Sequence, residues 1–403
     1  MNTTRENRTA ATRRGELLRV IFTAPTATAF QSSGVGLVIA LKYFNAADWQ
    51  KAIIASAGTA GLLLTPVAVY IAGRLRLPVS KIIGSIIFLG IPGLLLAAFS
   101  RQLTTYMTGL LASLLLLAST TPLITSLWRQ NAGVENRGKF FGQVAFAGVL
   151  TGLLSSGLIS WFMREDLSRF RIIFMVLACL LACAALAVIQ IPSNPLDRHS
   201  AGNPFRNLSL IWKNKLFGYM CIIQMLVGIG NLATNPLRTE YAGSSVRGLG
   251  YSPGMILVLG LLLPEIGRAV SMLVWGKLFD RMNFMLMRAL VNLFFILSIV
   301  LFFTPVPLCQ ILGSLAYGLA IGGGHIAWNL WVTRFCESEE TAAYMSVHTA
   351  LTGLRGILAP QLAFGVLKFC SIQTVAWSGA LLILLSILLL IPVLPRGKTL
   401  IHT

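Results

Sequence analysis

Charged side chains are scarce in this chain. Asp, Glu, Lys and Arg make up 11% of its 403 residues, against roughly 25% in an ordinary soluble protein, and that shortage excludes a water-soluble globule of this size. Acidic residues are rarer still, 13 against 32 Lys and Arg, for a net charge of +19. Such an excess fits a nucleic acid or an anionic membrane patch, but neither is needed if the basic residues sort to one side of a bilayer. Cysteine is limited to six residues, Cys179, Cys183, Cys221, Cys309, Cys336 and Cys370. None has the spacing or partners of a metal site, so they read as packing residues, and Cys179 with Cys183 fall at i,i+4 on one helix without implying a disulfide. No phosphate-binding Gly-Lys-Ser/Thr loop is present, which argues against ATP drive. Nothing resembles an enzyme site, a metal site or a cofactor site. The first nineteen residues are polar and basic, and no short apolar core with a small-residue cleavage site follows them, so no removable signal is expected.

What the chain does have is long apolar runs. They lie at 20–41, 52–72, 80–99, 104–127, 140–163, 171–191, 216–237, 253–275, 285–304, 308–332, 342–367 and 372–394. About twenty residues cross a bilayer core, so each run can span it. The runs lack the strict polar–apolar alternation of a membrane barrel, so they are predicted to be helices. Twelve spans put both termini on the same side. By loop position, 21 of the 32 Lys and Arg fall on that side and nine on the other, with Arg268 and Arg355 left inside the membrane. The positive-inside rule makes the first side cytoplasmic. The longest polar break holds the stretches Pro192-Ser193-Asn194-Pro195 and Ala201-Gly202-Asn203-Pro204, which suit a linker. The expected organisation is therefore a cytoplasmic tail at 1–19, a six-helix bundle at 20–191, a linker at 192–215, a second bundle at 216–394 and a tail at 395–403.

The two halves echo each other. Gly73-Arg74 matches Gly276-Lys277, and Leu127-Trp128 matches Leu330-Trp331, both at an offset of 203; Leu150-Thr151-Gly152-Leu153 matches Leu351-Thr352-Gly353-Leu354 at 201. A shift of six helices preserves direction, so the repeat is parallel rather than inverted. Polarity varies with the same rhythm. With Lys81, Arg171 and Arg288 counted in the loops, runs three, six, nine and twelve are expected to carry no charges and few polar groups. Run one carries Gln31, Ser32 and Ser33, run four Ser119, Thr120, Thr121, Thr125 and Ser126, run seven Gln224, Asn231, Thr234 and Asn235, and run ten His325 and Asn329. Lipid-facing helices should be the least polar, so runs one, four, seven and ten are expected to line the centre.

Run eight ends in Gly276-Lys277-Leu278-Phe279-Asp280-Arg281, with Arg288 seven residues on. This stretch, read as a loop, resembles the Gly-x-x-x-Asp-Arg signature of the major facilitator superfamily of secondary transporters. Its counterpart after run two, Gly73-Arg74-Leu75-Arg76-Leu77-Pro78-Val79-Ser80-Lys81, is degraded, with Leu77 where the Asp belongs. Glycine there allows close helix approach, and Asp280 and Arg281 can meet a helix end or a carbonyl. The resemblance implies an all-α polytopic membrane protein of 12 transmembrane helices in two six-helix bundles. It also implies rocker-switch alternating access, with Gly276, Asp280, Arg281, Gly73 and Arg74 as the cytoplasmic gate motif. The competing reading of both loops is a short basic segment that fixes topology.

Ionisable groups at membrane depth mark a pathway unless they pair or face water. Glu265 and Arg268 share a face of run eight at i,i+3. Either they neutralise each other and only orient the helix, or Glu265 takes up and releases a coupling proton, burial opposing its charge and Arg268 favouring it. Arg355 stands mid-run between Gly353 and Gly356 without an acidic residue within a turn. It needs a carboxylate from elsewhere, such as Glu265, or water, or an anionic ligand, to which its planar fork is matched. His325 and His348 are candidate proton relays, or hydrogen-bonded packing residues. The substrate-binding candidates are Arg355, Arg268, Gln31, Gln224, Asn231 and Asn329; the proton-coupling candidates are Glu265, His325 and His348. Gly318, Gly322, Gly323 and Gly324, with Gly148 and Gly152, offer small-residue faces for close packing.

The reading that follows is a secondary active transporter of a small organic solute, proton-coupled, in a bacterial inner membrane. Its expected partners are the solute, the proton and the lipid bilayer, with no nucleic acid, no cofactor and a monomeric state. Export of amphiphilic compounds is a second transport reading. A non-transporting membrane sensor or assembly partner is the alternative of another class.

Overall fold

The computed structural model describes residues 2–31, 34–131, 137–196, 204–336 and 340–395, and among them every regular element is helical. In chain order the α-helices are α1 (Asn2–Ala29), α2 (Val35–Lys42), α3 (Asp48–Ala60), α4 (Thr65–Leu75), α5 (Val79–Ala98), α6 (Leu103–Ser119), α7 (Thr121–Asn131), α8 (Arg137–Phe162) and α9 (Phe170–Ile189). They continue with α10 (Leu210–Lys213), α11 (Lys215–Gly243), α12 (Pro253–Leu257), α13 (Leu263–Arg281), α14 (Phe284–Phe302), α15 (Pro307–Leu330), α16 (Thr341–Val366) and α17 (Ile372–Leu390). Among the described residues ten helical segments are long and apolar enough to cross a membrane. An isolated bilayer offers the backbone no partners, so each such segment must satisfy its own N–H and C=O groups as a helix. Expected runs one and eleven are helical too. Run one is broken at Gln31, and run eleven, α16, carries His348, Thr352, Arg355 and Gln361 along its length. Ser32 and Ser33 lie outside the described residues.

Two compact units emerge from the contacts. The first comprises Met1–Gln31 and Ala57–Pro204, the second Ser32–Ser56 and Phe205–Thr403. Expected runs one and two are therefore each divided between units.

In the first unit α5 packs against α6 and α9, and α1 against α8 and α9. Backbones touch where Gly93 meets Gly109: a Cβ on Gly93 would stand 2.7 Å from the Gly109 carbonyl oxygen. Phe30, Tyr106, Phe170 and Phe174 form an aromatic cluster with centroid separations of 5.0–6.1 Å. The basic segment expected as a tail is helical from Asn2 onward, and Glu16 and Arg19 are buried on α1.

In the second unit α13 packs on α15, α14 on α15 and α17, and α11 on α16 and α17. Helix α2 joins it because residues 35–40 are all buried and contact α11 and α12. Polar groups hold the same segment. Lys51 is 4% exposed and its Nζ lies 2.7 Å from Glu240 Oε2 and 2.9 Å from Asp48 Oδ1, while Arg247 Nη1 reaches Asp48 Oδ2 at 2.7 Å. Run seven was expected to stop at 237, but α11 runs on through Pro236 to Gly243. A proline inside a helix removes one bond without ending it where packing compensates, and residues 233–243 are all buried. A second acidic residue besides Glu265 is thereby buried in this unit: Glu240 is 3% exposed.

Candidate functional site

The helix carrying Glu265 is set against its neighbour by glycine. Cβ atoms built on Gly267 and Gly318 would stand 2.4 Å from the Leu315 carbonyl oxygen and 2.1 Å from that of Pro264. Helices α13 and α15 thus meet backbone to backbone, and Trp275 Nε1 donates to the Leu319 carbonyl at 2.8 Å. A π-helical turn at Val258–Leu262 precedes Pro264. Proline has no N–H to donate and its ring crowds the carbonyl four residues back, which favours a widened turn there. Glu265 follows directly and is 1% exposed. Its Oε2 lies 2.6 Å from Arg268 Nη2, the i,i+3 pairing anticipated from spacing. Arg268 keeps 16% of its side chain exposed.

Among the described residues Arg355 does not reach a carboxylate, and the cross-helix pairing with Glu265 is not made. Its Nη1 donates to the Gln224 carbonyl and its Nη2 to Thr352 Oγ1 at 3.1 Å. The guanidinium lies flat on α11 at Gly228, where a Cβ would come within 2.6 Å of Cδ, Nε and Cζ. Gln224 is shared: its side-chain Oε1 accepts from Arg288 Nη2 at 2.8 Å. Arg288 was assigned to a loop and run nine was expected to be free of charge. Instead Arg288 sits on α14, 6% exposed, on one face with the buried Asn292, whose Nδ2 donates to Ser386 Oγ at 3.1 Å. The Arg-x-x-x-Asn spacing within an apolar run was the signal that could have shown it. His348 is 2% exposed and its ring stands 5.0 Å from that of Trp328 and 5.1 Å from that of Trp331.

The other candidates are dispersed. Asn231 is half-buried on α11, Gln31 is half-buried at the bend that ends α1, and His325 is exposed on α15. The Asn329 and Asp280 side chains lie outside the described residues. The gate motifs are not loops. Gly276, Lys277 and Arg281 belong to the last turns of α13, and Gly73 and Arg74 to α4, which ends at Arg76 in the left-handed conformation (φ 52). Among the described residues no atom lies within 4 Å of a Cβ built on Gly276, so no helix approaches closely there. Arg74 is held within its own helix, its Nη2 donating to Tyr70 Oη at 2.7 Å.

Further ionic groups escaped the sequence reading. In the first unit Glu16 is fully buried, accepts two bonds from Arg19 Nε at 3.1 and 3.2 Å and one from Arg19 Nη2 at 2.9 Å, and accepts from Trp128 Nε1 at 2.6 Å. Its Glu-x-x-Arg spacing is that of Glu265 and Arg268, but it falls in a stretch too basic to read as membrane-embedded. In the second unit Arg238 lies 4.6 Å from the ring centroids of both Phe302 and Tyr317, and its Nη2 donates to Ser298 Oγ at 2.9 Å. Aromatic faces stabilise a desolvated cation by roughly 2 kcal/mol or more.

Comparison with known proteins agrees with this architecture. The family model of the Major Facilitator Superfamily matches residues 21–360. Among curated proteins, the proton-coupled antiporter flippase LtaA of Staphylococcus aureus is 25% identical over 230 residues, 56% of this chain and 56% of LtaA. The match thus spans little more than half the length of that relative. Among solved structures, a point mutant of the nucleoside transporter NupG superposes with a TM-score of 0.71 at 16% identity, covering 96% of this chain and 99% of that one. The D-xylose–proton symporter superposes with a TM-score of 0.68 at 14% identity, covering 97% and 98%. At these identities the solved structures speak for the fold alone.

Proposed function

This chain belongs to the major facilitator superfamily, and from that premise we propose that it is a proton-coupled secondary transporter of a small organic solute. It would work by alternating access as a monomer in a bacterial inner membrane, with both termini cytoplasmic. The observation that carries proton coupling is the Glu265–Arg268 pair: a carboxylate 1% exposed, 2.6 Å from a guanidinium, in the middle of an apolar helix. Such a pair has two protonation states. Ionised, the two charges neutralise each other; protonated, Glu265 leaves Arg268 to seek another partner. Coupling follows if that partner is the solute. Glu16 beside Arg19 offers the same chemistry in the first unit, where the hydroxyl-lined α7 lacks any other buried ion pair among the described residues. In this reading the gate motifs control access from the cytoplasmic side, and Arg355, Gln224 and Asn231 contact the solute.

The test is proton flux in proteoliposomes that enclose a pH indicator. A panel of sugars, nucleosides, peptides and organic anions is added outside, with the wild type and Glu265→Gln run in parallel. Solute-dependent flux in the wild type and its loss in the variant are expected. No response to any solute, or an unchanged response in the variant, refutes the proposal. The similarity to LtaA, described as an antiporter flippase, favours one second reading, the outward movement of an amphiphile. It predicts that detergent-like or lipid solutes, rather than polar ones, trigger the flux.

A further inference from the structure

The second unit buries two guanidinium groups, those of Arg288 and Arg355, against one glutamine and, among the described residues, gives them no counter-charge. Both are 6% exposed. Arg288 binds the side-chain oxygen of Gln224 and Arg355 its main-chain oxygen, and the two charges are close enough to repel each other. Among the described residues neither forms an ion pair. Taking a charge out of water carries a penalty that survives relaxation, and neutral acceptors offset it less well than a charge-assisted bond to an anion does.

The unused hydrogen-bonding atoms belong to the same group of residues. Among the described residues, Arg288 Nε, Arg355 Nε, Gln224 Nε2 and His348 Nε2 are all buried without a partner. Native interiors rarely leave one such donor unmet; here three certain donors and one imidazole nitrogen stand around a doubly positive centre. Helix geometry brings them together. His348, Thr352 and Arg355 follow one another at i,i+4,i+7 on α16, and a long side chain on a helix leans toward its N-terminus. Arg355 thus inclines back toward His348, while Gln224 and Gly228 share one face of α11. Gly228 leaves the space in which the Arg355 guanidinium lies.

We propose that Arg288, Arg355, Gln224 and His348 form a binding site for an oxyanion, a phosphate or carboxylate group. Two guanidinium forks match the several in-plane oxygen lone pairs of such a group, and the glutamine amide supplies a further donor. The site shares Arg355 and Gln224 with the proposed solute contacts and to that extent rests on that reading, but it does not require proton coupling: the occupant either leaves by transport or stays as a bound headgroup, and the site is the same. Phosphate on a soluble molecule and phosphate on a lipid are the two sources of the chemistry.

The experiment uses the purified full chain in detergent. Its thermal midpoint is measured in rising inorganic phosphate against chloride at equal ionic strength, and separately in nanodiscs with phosphatidic acid against phosphatidylcholine. A saturable upward shift is expected with phosphate, phosphatidic acid or both; the first alone assigns a soluble ligand and the second alone a lipid headgroup. Gln224→Glu places a carboxylate where Oε1 now meets Arg288, so that variant should fold, show a raised midpoint without ligand, and bind at least tenfold more weakly. Gly228→Ala, which pushes Arg355 from its seat, should weaken binding as well. No shift with either ligand in the wild type, or an unchanged shift in Gln224→Glu, overturns the proposal. Proton flux measured on the same preparations separates the two claims, since loss of flux in Glu265→Gln leaves phosphate binding untouched if both hold.

Discussion

Removal of Glu240 should cost the second unit far more than removal of Arg247, although both belong to one ionic chain. Lys51 Nζ lies 2.7 Å from Glu240, with both side chains about 5% exposed or less. At an effective dielectric of about 20, two unit charges at that distance attract by roughly 6 kcal/mol before desolvation is counted. Breaking a buried pair from one side costs about 3–5 kcal/mol, because the other charge is stranded. Here Asp48 remains 2.9 Å from Lys51, so Glu240→Ala should fall near the lower end, about 3 kcal/mol. The Arg247–Asp48 contact is equally short, 2.7 Å, but its side chains are 36% and 19% exposed. Solvent screening holds such a pair to about 1 kcal/mol or less, and Arg247→Ala should lose no more. Denaturant unfolding in detergent micelles measures both, and a double-mutant cycle of Glu240→Ala with Lys51→Met isolates the coupling, expected at about 2–4 kcal/mol. Equal losses for Glu240→Ala and Arg247→Ala, or a coupling near zero, would refute the argument that burial rather than distance sets the strength of these contacts.

The remaining predictions concern two glycines, the buried carboxylate of Glu16 and one acceptor of Arg355. Gly267→Ala drives a methyl group into the α15 backbone and should destabilise the chain by about 1–3 kcal/mol, read as a lower unfolding midpoint. Gly276→Ala meets nothing within 4 Å and lies inside a helix, so it should be neutral or stabilising by up to about 1 kcal/mol; a large loss would restore a close-packing role to the signature glycine. Glu16→Gln removes the charge opposite Arg19 and leaves one acceptor oxygen for Arg19 and Trp128 to share, and should lower stability by about 3 kcal/mol as well as altering the pH dependence of flux. Thr352→Val removes one of the two acceptors of Arg355 and should weaken solute-dependent flux without unfolding the protein, which parallel flux and melting measurements would check.

Much of the architecture was legible in the order of residues, because a bilayer leaves few choices. A run of about twenty apolar residues must be helical there, so the helices could be placed by composition. Contacts that stay within one helix were also accessible: Glu265 and Arg268 meet because i and i+3 share a face. The limits are equally physical. Proline and charge were read as the end of run seven, whereas tertiary packing carries α11 past Pro236 and buries Arg238 and Glu240. Arg288 was counted with a loop because a charge near a helix start is ordinarily hydrated, and only its neighbours remove the water.

The choice of partner was decided by the tertiary structure. Arg355 meets a carbonyl 131 positions away and Arg288 an amide 64 positions away, and no local periodicity encodes such distances. The chain by itself determined that it would cross the membrane as helices and that Glu265, Arg268 and Arg355 would lie among apolar neighbours. Packing of α11, α14 and α16 determined which of those charges found a counter-charge and which were left facing a single glutamine.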